Sequence, residues 1–87
     1  MAKLEDVVRE ELHYYSEELE NSVKDNKVFN YLDMLADRYD LSQERVYNKN
    51  LDIFNWYMKN GVNEVQAKTM SLYLTHEQVM RECLGKE

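Results

Sequence analysis

The side chains with the most direct claim to chemistry are His13, His76 and Cys83. Nucleophilic catalysis needs a nucleophile beside a base that a third group orients. His76 and Cys83 stand seven residues apart in one predicted helix, two turns from each other. That is too far for direct contact along it. The expectation is a surface histidine and a half-buried cysteine. Glu10-Glu11-Leu12-His13 contains one Glu-x-x-His, which sets a carboxylate and an imidazole on one helix side. A di-metal bundle needs two such motifs and two further glutamates. Only a symmetric dimer could supply the second, so a solvated face is expected and no metal site. There are two glycines in the chain, Gly61 and Gly85, too few for a phosphate-binding loop. No cysteine–histidine cluster has zinc spacing. The chain is read as non-enzymatic, with no catalytic residue and no cofactor.

The elements that would position a site are helical. The 87 residues hold no proline and are 44% apolar and 32% charged, which suits a folded domain without tight turns. One domain over residues 1–87 is expected. Leu4, Val8, Leu12, Tyr15 and Leu19 form one apolar stripe and predict a helix over about 3–22. Turn and cap residues follow at 21–26. Val28, Leu32, Leu35 and Tyr39 predict a second helix over about 27–39. Ser42 can cap a third, about 43–60, whose face is Val46, Asn50, Ile53 and Tyr57, widened by Phe54 and Met58. Gly61 stands where a left-handed cap is expected. Asn63 with Gln66, and Thr75 with Gln78, read as two capping boxes. They predict shorter helices at about 64–73 and 76–84. The fold class is all-α, a compact bundle of four to five helices joined by short loops. No run of residues is apolar enough to cross a membrane, the start of the chain is acidic, and one cysteine allows no internal disulfide. A cytoplasmic location is expected.

Residues 35–46 carry a more specific pattern. Ala36 is small enough for two helices to cross closely. Asp40 falls at the turn, Leu41 at an apolar plug, and Val46 at a buried aliphatic ten residues after Ala36. The stretch Leu41-Ser42-Gln43-Glu44-Arg45-Val46 resembles the start of the recognition helix in sigma-factor-like and other helix-turn-helix proteins. That resemblance implies that Gln43, Arg45, Asn48 and Lys49 face the major groove. It departs from the pattern at Asp40, where glycine is usual, and at Lys49, near an expected aliphatic. The predicted helix is also long for a recognition helix. Residues 36–60 carry no net charge, so a DNA reader built there would bind weakly.

Charge singles out the other end. The chain has a net charge of −6, and residues 1–22 hold seven acids against two bases. Glu11 and Glu18 fall between Leu4/Tyr15 and Val7/Tyr14 on the helical wheel, splitting the apolar stripe. An interface with a basic partner would place acids there. An anionic face argues against anionic membranes. Acidic, aromatic-bearing helical chains of this size occur among phage proteins that mimic DNA or block host enzymes. Asp52-Ile53-Phe54 with Gly61-Val62 is faintly similar to such an antirestriction protein. Trp56 lies off the stripe of its helix, with Arg45, Lys49 and Asp52 as wheel neighbours, and suits an interface anchor. The expectation is therefore a small acidic module that binds another macromolecule, foremost a protein and by inhibition. Its contacts would be Glu11, Tyr14, Glu18 and Trp56, and a homodimer is one form of it. The alternative is a DNA-binding helix-turn-helix regulator.

Overall fold

Three helices end on single residues in left-handed backbone: Asn26 (φ 58°), Asp40 (φ 54°) and Gly61 (φ 80°). Each lets the chain double back, so that the next amide bonds a carbonyl of the last helical turn. Lys27 N–H reaches Ser22 O at 2.7 Å, Leu41 N–H reaches Ala36 O at 2.9 Å, and Val62 N–H reaches Tyr57 O at 3.1 Å. This closure satisfies carbonyls that a helix end leaves bare. Asp40 thus takes the conformation that glycine usually supplies, as short polar side chains can. Two helix starts are capped by side chains: Ser42 Oγ accepts from Arg45 N–H, and Asn63 Oδ1 from Val65 and Gln66 N–H.

Between these signals the structure, a computed structural model that describes residues 3–85, is all-α. It has five helices and, among the described residues, no strand: α1 (Leu4–Tyr14), α2 (Ser16–Lys24), α3 (Val28–Arg38), α4 (Gln43–Lys59) and α5 (Glu64–Leu84). Antiparallel α4 and α5 share the largest interface; Arg45 near the start of α4 meets Glu82 near the end of α5. The main core joins Leu19 of α2, Tyr31, Leu32, Leu35 and Ala36 of α3, Val46 of α4 and Leu72 of α5. A second, smaller cluster holds α1: Val8 and Leu12 against Met80.

Two boundaries differ from expectation. The first helix bends at Tyr15 (φ −93°, ψ 4°), and its second part runs on to Lys24. At the bend Ser16 Oγ donates to His13 O at 2.8 Å, a back-bond of the kind that bends helices. The bend lets Tyr15 pack on the main core while α1 turns onto α5. At the other end, the predicted break before His76 is absent and α5 is continuous. Thr75 is fully buried, its hydroxyl donates to Ser71 O at 2.6 Å, and it sits 3.1 Å from the side-chain amide of Asn50. A helix break there would bury unpaired backbone groups, so threonine stays inside the helix. Met58, expected to widen the core face of α4, is exposed.

Candidate functional site

His76 is fully buried, which corrects its expected surface position. It occupies the centre of a polar cluster that joins α1, α3 and α5. On one side Tyr31 Oη lies 2.6 Å from Nδ1; on the other, Nε2 lies 2.8 Å from Glu11 Oε2. Burial holds the imidazole pKa below its ordinary value, and the Glu11 carboxylate only partly offsets this. The neutral ring therefore donates Nε2–H to Glu11 and accepts the Tyr31 hydroxyl at Nδ1. The contact with Glu11 is a hydrogen bond rather than an ion pair.

Glu11 is the convergence point. Its Oε1 accepts Nη2–H and Nε–H of Arg38 at 2.7 and 3.2 Å. Its Oε2 accepts from Tyr39 Oη as well as from His76. Burial pushes the carboxyl pKa up, but the donors from Arg38, Tyr39 and His76 together outweigh burial and hold it below the usual range. The same contacts raise Arg38, and burial followed by the Glu11 bond pushes Tyr39 up to about 12. The Arg38 guanidinium also lies 5.6 Å from the ring centres of both Tyr15 and Tyr39. Among the described residues every buried side-chain N or O atom has a hydrogen-bond partner.

A phenol, an imidazole and a carboxylate in series have the outline of a nucleophile–base–orienter array. The surroundings argue against that use. Tyr31 and His76 are 2% and 0% exposed, so no substrate reaches them. Burial and the charges of Glu18 and Glu11 raise the Tyr31 pKa, opposite to activation of a phenolate. The cluster instead supplies positioning: one carboxylate ties α1 to α3 and α5. Cys83, half-buried, takes no part in it. Glu10 and His13 of the Glu-x-x-His are exposed, and no group of three metal-ligating side chains gathers among the described residues.

The residues expected to meet a partner separate into three places. Glu11, only 11% exposed, has its carboxylate committed internally and is not a free contact. Tyr14 is 79% exposed, stacked edge-on against Tyr15 with ring centres 4.9 Å apart. It borders two clefts. One, of about 510 Å³, is lined by Glu17, Glu18, Asp25 and Lys27; the other, of about 450 Å³, by Val7, Glu10, Glu11 and Arg38. Among the described residues Glu10, Glu17, Glu18 and Asp25 hold no ion pair, although Lys27 lines the first cleft and Arg38, bound to Glu11, the second. Trp56 is 61% exposed on α4, edge-on to Tyr57 at 5.2 Å.

The helix-turn-helix corner has the expected interior. Ala36 and Val46 are buried, and Leu41 packs on the main core. Three of its four candidate base-reading side chains are engaged within the chain. Arg45 pairs with Glu82, Lys49 Nζ lies 3.5 Å from Glu82 Oε2, and Gln43 Nε2 donates to Asp33 Oδ1 at 3.0 Å. Asn48 is exposed and lines a shallow cleft with Arg45 and Lys49. The His76 cluster was not legible in the sequence because Glu11 lies 27 to 65 residues from the partners it binds. The one available signal was the placement of Glu11 inside an apolar stripe, which marks an acid with a partner. No protein-family model, no curated protein and no solved structure matches this chain.

Proposed function

We propose that this chain is a non-enzymatic interaction module that binds another protein, in the manner of an inhibitor, through Tyr14 and the acidic strip around Glu18. The observation that carries this reading is the setting of Tyr14: a largely exposed phenol ring between two clefts in which Glu10, Glu17, Glu18 and Asp25 outnumber the cations and hold no ion pair. Aromatic side chains anchor interfaces, and unpaired carboxylates around one favour a basic partner surface. A symmetric dimer through this strip would set it against its own copy, acid against acid, so the partner is a different protein. Trp56 offers a second exposed anchor on α4. The test uses wild type and the double variant Tyr14→Ala/Glu18→Lys as baits in host extract, at low and high salt. A partner retained by wild type, lost from the double variant and weakened by salt supports the reading. Equal retention by both baits overturns it.

A helix-turn-helix DNA regulator is the second reading, favoured by the corner at Ala36, Asp40, Leu41 and Val46. Glu82 neutralises the cations it would use, so α4 offers little phosphate affinity. Glu82→Gln would free Arg45 and Lys49. A duplex shift that strengthens in this variant and falls steeply with salt supports DNA binding; no shift in either protein at low salt removes it.

A further inference from the structure

We propose that α1 is an acid-released latch: it is tied to the bundle through Glu11 and His76, and on mild acidification it swings away about Tyr15 while α2–α5 stay folded.

The geometry divides the molecule at that point. The main core takes residues from α2, α3, α4 and α5 and none from α1. The apolar hold on α1 is the separate cluster of Val8 and Leu12 on Met80, with Leu4 and Tyr39 at its edge. The backbone of α1 packs on α5 and touches α2, but not α3 or α4. Its link to α3 and the residue after it is made by side chains, Glu11 to Arg38 and Tyr39. The exposed Glu5–Arg81 pair also bridges α1 and α5, and exposed pairs contribute little. Tyr15 is already out of helical geometry, so α1 can pivot without breaking a regular helix.

The trigger is His76. Facing it are Glu11 from α1, Tyr15 from the bend, Tyr31 and Arg38 from α3, and Tyr39 beyond α3. The charge of Glu18 from α2 reaches Tyr31. From α4, Arg45 and Lys49 are occupied by Glu82. On α5 itself, Glu77 pairs outward with Arg81. In the closed form the imidazole is sealed and held neutral. Once α1 leaves, water reaches the ring and it takes a proton near its ordinary value of about 6.5. Acid therefore favours the open form, by up to tenfold per pH unit for the single proton taken up. The carboxyls of Glu5 and Glu11 are held below 4.5 and act only at lower pH. This latch does not depend on the identity of any partner.

Amide exchange between pH 7.5 and 5.0, corrected for its intrinsic pH dependence, reads the opening. His13→Gln leaves His76 as the sole imidazole. A released 11-residue helix has little stability of its own, so its amides exchange once free. Protection at Val8 and Leu12 should lie below that at Leu35, Val46 and Leu72 at every pH and fall by up to tenfold per pH unit below about 6.5, with the core set, which exchanges by global unfolding, falling in parallel from its higher level. Equal protection in the two sets means that α1 opens only by global unfolding and overturns the latch, as does unchanged protection in α1. His76→Gln keeps a donor toward Glu11 and an acceptor toward Tyr31 without a proton to gain. It should level the α1 response, and a retained slope overturns the proposal. If that variant does not fold, imidazole ¹⁵N shifts of the His13→Gln protein decide. A native ring still neutral at pH 6 supports the latch; a ring already charged there overturns it.

Discussion

The imidazole of His76 and the carboxylate of Glu11 meet at 2.8 Å across 65 residues of chain. That contact converts an acid in an apolar stripe from an anomaly into the tie between the first helix and the last. Each member of the cluster depends on the others for satisfaction. A removed partner therefore costs more than the bond it made, because a buried donor or acceptor is left unpaired.

Glu11→Ala should destabilise the fold by about 1–3 kcal/mol, the range for orphaning a buried polar group. His76 Nε2–H and Tyr39 Oη would lose their acceptor, while half-exposed Arg38 can turn to water. Urea midpoints report this. Glu18→Lys, on an exposed position, should change stability by less than about 0.5 kcal/mol. Equal losses in the two variants would contradict the inward role of Glu11.

Stability should fall on the acid side of neutrality. The folded His76 pKa lies below 6.5, so the unfolded chain takes up its proton first as pH drops. The contribution is intact above about pH 6.5 and declines below it, by at most about 1.4 kcal/mol per pH unit. Glu11 adds a second loss of the same sign: its folded pKa is depressed, so its stabilisation is present above 4.5 and disappears as pH falls through the folded value. Urea midpoints at pH 7.5, 6.0, 5.0 and 4.0 should decrease in that order. His76→Gln should flatten the step between 7.5 and 5.0.

The α3–α4 corner turns on Asp40 at φ 54°. A β-branched residue is strained in left-handed backbone by roughly 1–2 kcal/mol. Asp40→Val should lower the melting temperature accordingly, and Asp40→Gly should hold or raise it. A melting temperature unmoved by valine would mean that the turn can re-form elsewhere.

Trp56 should behave as a water-exposed indole. Its fluorescence should be readily quenched by iodide, and Trp56→Ala should leave stability within about 0.5 kcal/mol. Protection from quenching when a partner is added would place the indole in the interface. Quenching resistance in the free protein would mean that the ring is packed.

How much of this was legible depends on how local the cause is. Ser42, Gly61 and Asn63 act on amides within four residues of themselves, and all three cap as their sequence positions predict. Thr75 shows where local information fails. Its capping-box pattern is real, but burial beside Asn50 and the bond back to Ser71 O keep it inside α5. The bend at Tyr15 has a similar origin: Leu12, Tyr15 and Leu19 keep helical spacing through it, and packing onto two different surfaces, with the Ser16 back-bond to His13 O, sets it.

The amino-acid sequence by itself determined the helical class and most of the helix ends, but not the bend at Tyr15 or the continuity of α5 through Thr75. Periodicity and capping are short-range physics. It also placed the excess negative charge in residues 1–22. Only the tertiary structure decided which of those acids are free and which are held. Glu11 turns inward to His76, Arg38 and Tyr39, whereas Glu18 stays in water beside Tyr14. The physical reason is that a carboxylate in an apolar stripe must find donors, and donors 27 to 65 residues away come within reach only when the helices pack.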